Sequence, residues 1–349
     1  MQKYEKFMRK CLELAQKGAG FVSPNPMVGC VVIDKDGNEI SCGYHHKYGE
    51  NHAERDALLK LKKEDSTGGT LVVNLEPCTH YGKTPPCVDL IIEMGIKTVV
   101  MAMRDVNPIV AGNGVKKLKS AGINVIEGVL EKEAQELNEI FIKNMTSKKC
   151  FVALKTATTL DGKIATKNGD SKWITSEPAR KKGKSLRKLY DAVLTTSSTV
   201  IADNPEFKCH KKILIDRTLK TNLNLKYFKT GQIYIATCSE SIPNNTENIK
   251  YIRCRQTNNK LDLEDLYEKL YKLNIMSIFV EAGGTLNGEL VDKNLVDKIY
   301  QFMSAKVLGD NLGKSAYSGR NINNINSCKN YKICSVEQIE NDILLTMKN

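Results

Sequence analysis

No run of 18 apolar residues occurs in the 349-residue sequence, so a helix crossing a bilayer is not expected. The opening Met1-Gln2-Lys3-Tyr4-Glu5-Lys6-Phe7 also lacks the apolar core of a secretion signal. Both absences predict a cytoplasmic protein with no membrane partner. With 24 glycines and nine prolines the chain is neither collagenous nor of low complexity, and it holds no internal repeat. Aromatic residues are scarce, 6% with a single tryptophan, and none interleaves the basic clusters as a stacking platform for single-stranded nucleic acid would require. No Gly-x-Gly-x-x-Gly follows a predicted strand, which excludes the ordinary dinucleotide fingerprint.

What is present describes an enzyme-like globular chain. At 41% hydrophobic and 26% charged residues the composition is that of a folded protein, and its length predicts two domains at about 150 residues each. Eleven cysteines without an export signal are reduced core thiols or metal ligands rather than a disulfide framework. The net charge of +12 is uneven: residues 1–150 hold 21 basic against 19 acidic side chains, leaving 31 against 21 in residues 151–349. A basic half of this kind serves nucleic acid, an anionic membrane or a phosphorylated small molecule. With no aromatic interleaving and no membrane segment, the small molecule is the expected partner.

Tyr4 to Lys17 carries Phe7, Met8, Cys11, Leu12 and Leu14 at helical spacing and stops at Gly18 and Gly20. A hairpin is expected from Met27 to Ile33 and Glu39 to Tyr44 around Asp36-Gly37. Helices at Ala53 to Lys63, Val88 to Met94, Ala111 to Ala121 and Glu131 to Asn144 alternate with strands at Thr70 to Leu75 and Thr98 to Ala102. This predicts an α/β/α layered domain with a mixed sheet. The pattern resets around Ser147-Lys148-Lys149-Cys150, which divides the chain into residues 1–147 and 148–349. Strands are then expected at Phe151 to Lys155, Ala192 to Thr196, Lys212 to Asp216, Gln232 to Thr237, Lys250 to Arg253, Ser277 to Glu281 and Lys298 to Met303. Helices at Glu177 to Tyr190, Leu263 to Leu273 and Leu286 to Lys293 complete a mostly parallel, doubly wound α/β domain. The Asn-rich stretch from Arg320 to Cys334 carries no structural signal.

The most specific pattern is His52-Ala53-Glu54, then Glu76-Pro77-Cys78 and, after eight intervening residues, Cys87. One imidazole and two thiolates leave the fourth tetrahedral position of Zn²⁺ to water, as in a catalytic site. Zinc would bring that water's pKa from ~15.7 toward ~7. Glu54, two residues beyond the histidine at a helix start, is placed to take the proton and deliver it to a leaving amine. This is the pattern of the zinc nucleobase deaminases, here with a longer loop between the cysteines than the usual Pro-Cys-x-x-Cys. The other nine cysteines have no such partners and read as core or surface thiols.

The segments Ser23-Pro24-Asn25-Pro26-Met27-Val28-Gly29, His52-Ala53-Glu54, Leu75-Glu76-Pro77-Cys78-Thr79-His80-Tyr81-Gly82-Lys83-Thr84-Pro85-Pro86-Cys87 and Asn107-Pro108 with Ala111-Gly112 resemble the riboflavin-biosynthesis deaminases. Leu160-Asp161-Gly162-Lys163-Ile164-Ala165, Trp173-Ile174-Thr175-Ser176, Thr199 to Pro205 and Val280-Glu281-Ala282-Gly283-Gly284-Thr285-Leu286 resemble the reductase linked to them. Together they cover nearly the whole chain in that family's order. The resemblance implies a cytidine-deaminase-like α/β/α domain followed by a dihydrofolate-reductase-like α/β domain. It implies hydrolytic loss of a pyrimidine amino group and then NADPH-dependent reduction of a ribosyl to a ribityl chain, on 5-phosphorylated substrates. A homo-oligomer is expected.

Carried over position by position, the resemblance puts Asn25, His45, Lys83, Asp105 and Asn107 around the deaminase substrate. It lines the NADPH site with Ala157, Trp173, Thr175, Thr199, Asp203 and Gly283, Gly284, Thr285, Leu286, Asn287, Gly288 and Glu289. Backbone amides at a helix start after Gly283 would approach a pyrophosphate closely, although a plain strand-to-helix turn uses the same glycines. Lys155, Ser171, Arg187, Phe207, His210 and Glu281 fall at the reductase substrate positions, with Lys155 the candidate proton donor. Arg187 also suits a solvated basic helix face, and Trp173 a packed core.

Two departures stand out. Arg55-Asp56 replaces the Val-His that usually follows His-Ala-Glu. Asp203-Asn204-Pro205-Glu206-Phe207-Lys208-Cys209-His210 lacks the arginine that ends the family's motif, leaving His210, Lys208 or Lys211 to meet a phosphate less firmly than a bidentate fork would. A rival reading is an RNA-editing deaminase with a basic RNA-binding tail; the long loop before Cys87 and the reductase motifs oppose it.

Overall fold

The computed structural model of the chain describes residues 2–107 and 111–349, so Pro108 of the Asn107-Pro108 motif lies outside the described residues. The chain divides into two units, Met1–Lys148 and Lys149–Asn349.

The first unit is built on a five-stranded mixed sheet in the order Glu39–Tyr44, Gly29–Ile33, Thr70–Leu75, Thr98–Met103, Asn124–Ile126. The first three pair antiparallel and the last three parallel. Every residue of Gly29–Ile33 is buried, because helices cover both faces. Two glycines set the approach of those helices. A Cβ on Gly29 would lie 2.1 Å from the Cys11 carbonyl oxygen in helix Gln2–Gln16, and one on Gly43 would lie 2.6 Å from the Ala57 nitrogen in helix Ala53–Leu58. Gly43 pairs with Cys30, the residue after Gly29, so the two helices press on opposite faces. The expected helix from Ala53 to Lys63 ends at Leu58, and a separate turn, Lys63–Ser66, begins where the Asp65 carboxylate accepts the Lys62 N–H at 3.1 Å.

The second unit carries a nine-stranded sheet, ordered Ile249–Arg253, Gln232–Thr237, Lys211–Ile215, Ala192–Thr196, Ser277–Val280, Phe151–Thr158, Lys298–Ser304, Asp342–Lys348, Lys332–Ile339. Seven strands run parallel and the last two form an antiparallel hairpin on one edge. The central strand Ser277–Val280 is buried along its whole length, as a strand covered on both faces must be. Unforeseen were the terminal hairpin, the helix Ser197–Asp203, whose Thr196 cap accepts the Thr199 N–H, and the two short strand pairs of Lys163–Ala165 with Lys314–Ser315 and Gln256–Thr257 with Lys260–Leu261. The hairpin is tied into the unit by buried Asp342, whose carboxylate accepts the Ser176 N–H at 2.7 Å. Among the described residues no helix is long and apolar enough to cross a membrane.

Candidate active sites

In the first unit, His52 immediately precedes helix Ala53–Leu58, Cys78 follows strand Thr70–Leu75, and Cys87 opens helix Cys87–Glu93. His52 Nδ1 lies 3.5 Å from each of the two sulfurs. Bonds of about 2.0 Å to nitrogen and 2.3 Å to sulfur at a tetrahedral angle put those atoms about 3.5 Å apart, so both nitrogen–sulfur separations match those of a zinc site. The Cys87 N–H donates to Cys78 Sγ at 3.4 Å. The Cys87 thiol and, after the opposing cost of burial, His52 hold Cys78 well below the ordinary thiol range, while Cys87 is correspondingly raised. One thiolate is thus prepared within the protein itself.

Glu54 is buried on the first turn of its helix beside this trio. Burial, followed by the charge of Cys78, pushes its carboxyl up to about 7, where a group exchanges protons readily at neutral pH. A cavity of about 410 Å³ opens over these residues and is lined also by Asn25, His45, Lys83, Asp105 and Asn107. All five positions implied by the resemblance therefore meet in one place. His45 makes hydrogen bonds through Nδ1 with the Asn51 carbonyl oxygen at 2.9 Å, where the ring must donate. Its Nε2 is left to accept from the Asn25 amide at 3.1 Å, and burial lowers its pKa, which keeps the ring neutral. The Lys83 ammonium rests 4.1 Å above the Tyr48 ring. Burial raises the pKa of Asp105, whose carboxylate accepts the Asn107 N–H at 2.8 Å.

Supporting residues passed over at the sequence level complete the site. Asn74 and Asn138 clamp the backbone of Met27, and with it the Asn25 segment: Asn138 accepts the Met27 N–H and both amides donate to its carbonyl. Glu76 accepts backbone N–H groups from Asp105, Gly112 and Val115. No local pattern announces either arrangement, because the partners lie 29 to 111 residues away.

In the second unit, Arg187 and Glu281 form a two-pronged ion pair, Nε to Oε1 at 2.5 Å and an Nη to Oε2 at 2.9 Å. The solvated-helix alternative for Arg187 thus gives way to a half-buried, paired guanidinium, which also lies 4.5 Å over the Phe207 ring. Burial raises the pKa of Glu281, but Lys155 and then Arg187 outweigh it, leaving the group below its ordinary range. His210 is exposed.

Ser171 and Trp173 line a cavity of about 250 Å³ with Lys163 and Lys306. Trp173 is 59% exposed with the Arg180 guanidinium 4.3 Å over its ring, which rules out the packed-core alternative. A second cavity, of about 290 Å³, gathers Thr199, Gly283, Thr285, Leu286 and Glu289 together with Arg217 and Lys260, which the sequence did not single out. Gly283 faces open space, whereas a Cβ on Gly284 or Gly288 would run into the carbonyl oxygens of Ser315 or Ser318. Those two glycines pack helix Gly284–Asp292 against the 315–318 segment, and Asn287 is fully buried with its amide donating to the Ala316 carbonyl. Ala157, Thr175 and Asp203 line neither cavity: Ala157 pairs with Phe302 in the sheet, Thr175 is buried, and Asp203 ends its helix exposed.

A buried carboxyl beside a one-histidine, two-cysteine metal set, under a cavity of small-molecule size, defines the first unit as a zinc-binding hydrolytic deaminase, and the second is a mixed α/β domain of a different kind. Residues 1–103 match the family of cytidine and deoxycytidylate deaminase zinc-binding regions, and residues 150–345 match the RibD C-terminal domain. The chain belongs to the riboflavin biosynthesis protein RibD family and is a bifunctional deaminase and reductase of that pathway. It is 39% identical to the RibD protein of Actinobacillus pleuropneumoniae, over 97% of this chain and 93% of that one, and 38% identical to that of Aquifex aeolicus, over 98% and 97%. Among solved structures it is similar to the diaminohydroxyphosphoribosylaminopyrimidine deaminase/5-amino-6-(5-phosphoribosylamino)uracil reductase of Thermotoga maritima, with a TM-score of 0.89, 40% identity and 99% of each chain covered. Acinetobacter baumannii RibD gives a TM-score of 0.90 at 32% identity, with 99% of each chain covered. The RNA-editing reading finds no support in these relationships.

Proposed function

We propose that residues 1–147 deaminate 2,5-diamino-6-(5-phosphoribosylamino)pyrimidin-4-one, and that residues 148–349 then reduce 5-amino-6-(5-phosphoribosylamino)uracil with NADPH. The observation that carries the first step is the convergence of His52, Cys78, Glu54, Asn25, His45, Lys83, Asp105 and Asn107 on one cavity. His52, Cys78 and Cys87 would hold zinc, which would acidify a water for nucleophilic attack at neutral pH. Glu54 accepts the proton released as the C–O bond forms and returns it to the departing nitrogen, so that the C–N bond breaks and ammonia leaves. Neutral His45, with both ring nitrogens engaged by Asn51 and Asn25, fixes the Asn25 amide as the hydrogen-bonding group for the ring, and Lys83 offers a cation to the 5-phosphate.

NADPH supplies the hydride for the second step. We assign its phosphates to the cavity of Gly283, Thr285 and Thr199, where Gly283 leaves the backbone open to close approach and Arg217 and Lys260 add positive charge. Trp173, exposed at the cavity it lines with Lys163 and Lys306, offers an aromatic face to the cofactor. In this reading Lys155, whose charge acts on Glu281, protonates the ribosyl ring oxygen as the ring opens. Arg187 meets the substrate phosphate from its station on Glu281.

The test follows ammonia release and nicotinamide absorbance together after adding the diamino substrate and NADPH to zinc-loaded protein. Ammonia first and NADPH loss second supports both assignments. Ammonia alone overturns the reductase assignment, and neither overturns the whole reading.

A further inference from the structure

We propose that Glu76 is a positioning residue of the deaminase: its carboxylate joins the metal-bearing turn to the segment that carries Asp105 and Asn107, and so sets substrate affinity without touching the reacting atoms. The proposal deepens the deaminase reading above and rests on it.

Glu76 sits between the end of strand Thr70–Leu75 and the Pro77-Cys78 turn, with its own N–H donating to the Met103 carbonyl at 3.0 Å. It is 3% exposed, an expensive place for a carboxylate unless its oxygens are occupied. Among the described residues they accept from main-chain N–H groups. Oε2 accepts the N–H of Asp105 at 3.2 Å and of Gly112 at 3.0 Å, and Oε1 accepts that of Val115 at 3.1 Å. These donors come from both ends of the connection between strand Thr98–Met103 and helix Asn113–Ser120.

The helix explains why an outside acceptor is needed. Its N-cap is Gly112, in the left-handed region at φ 76°, which has no side chain with which to satisfy the free amides of the first turn. Glu76 supplies the missing acceptor from just beyond strand Thr70–Leu75. Gly114 shows how tightly the pieces fit: a Cβ there would lie 2.4 Å from the Pro77 carbonyl oxygen and 3.0 Å from the Glu76 side chain. On the other side, the amide of Asp105 is held by Glu76, and the Asp105 carboxylate in turn holds the Asn107 amide. Both residues line the cavity, and Glu76 borders it with its carboxylate oxygens turned to the main-chain N–H groups. One carboxylate two residues from the ligand Cys78 therefore registers the substrate contacts against the metal.

The experiment compares Glu76→Gln and Glu76→Ala with the unaltered full-length, zinc-loaded protein. Glutamine keeps the shape but turns its amide NH2, a donor, toward at least one N–H donor, so it should break the clamp while leaving the core filled. In Glu76→Gln we expect KM for the diamino substrate to rise about tenfold or more while kcat changes less than about threefold, with zinc content and NADPH-dependent reduction unchanged. An unchanged KM, or zinc lost in step with kcat, overturns the proposal. Amide hydrogen exchange reads the clamp without substrate: Asp105, Gly112 and Val115 should exchange faster in the variant while strand Thr70–Leu75 does not. Unchanged exchange overturns the clamp even if the substrate assignment is right, and faster exchange in a protein that never deaminated separates failure of that assignment from failure of the clamp. Should Glu76→Ala fail to fold, Glu76→Gln alone decides.

Discussion

Replacing Arg187 by methionine should destabilise the second unit by about 2–3 kcal/mol at neutral pH, and replacing Glu281 by leucine in the same chain should recover most of that loss. The magnitude follows from the pair's surroundings. Exposed ion pairs contribute only about 0.2–1 kcal/mol, whereas stripping one partner from a fully buried pair costs about 3–5. Here both side chains are 15% exposed and two charge-assisted hydrogen bonds are made, which places the cost between those limits. Lys155 acts on the carboxylate from nearby and keeps the upper figure from being reached. For a unit of roughly 200 residues the loss corresponds to a fall in Tm of about 4–12 °C. Calorimetry is the assay, with deamination by the same chain as the check that the first unit is intact. The sign with pH is set by the direction of the Glu281 shift. Its folded pKa is depressed, so the stabilisation is present above the unfolded value of about 4.3 and is lost as pH falls through the folded value. The gap between the variant and the unaltered protein should therefore close in acid. A single variant within about 0.5 kcal/mol of the unaltered protein at neutral pH, or a double variant no more stable than the single one, would refute the reasoning.

Glu54→Gln leaves the ligand set untouched and should lower the deamination rate by about 10²- to 10⁴-fold with zinc retained and reduction intact; appreciable turnover would remove Glu54 from proton transfer. Cys87→Ser should release zinc as measured by atomic absorption, and retention at full content would mean that His52 and Cys78 suffice. Asp342→Ala orphans the Ser176 N–H at the end of the Trp173 segment, so KM for NADPH should rise severalfold while deamination stays unchanged. An unaltered KM would show that the terminal hairpin does not hold that segment.

Most of both main sheets was legible because their interior strands must be apolar on both faces. Ala192–Thr196, Gln232–Thr237 and Thr70–Leu75 stand where the expected runs lie, and each is buried nearly throughout. The terminal hairpin escaped for the opposite reason. Strand Lys332–Ile339 is exposed along almost its whole length, with Ile333 and Val336 open to solvent, so no burial period marks it. Its turn runs through Glu340 at φ 54° instead of an Asn-Gly pair, which removes the local hairpin signal as well. Helix Ser197–Asp203 is composed of indifferent helix formers and owes its start to the Thr196 cap, a cue too common in strands to be decisive.

The two proposed sites differ in the same way, and the difference follows from how each would hold its ligand. A metal selects side-chain types, so His52, Cys78 and Cys87 announce themselves wherever they fall in the chain, and a proton carrier two residues from one of them needs little more argument. A cofactor cradled by main chain selects residues that are merely small. Gly283, Gly284 and Gly288 look alike as letters, yet the first opens onto a cavity while the other two are pressed against Ser315 and Ser318. Only the fold separates glycine that admits a ligand from glycine that admits a neighbouring strand of backbone. The charges of that cavity are equally invisible, since Arg217 lies just beyond one strand and Lys260 in a distant two-residue strand, and neither belongs to any motif. Sequence reading therefore reaches furthest where chemistry constrains residue type, and stops where it constrains only the space around the backbone.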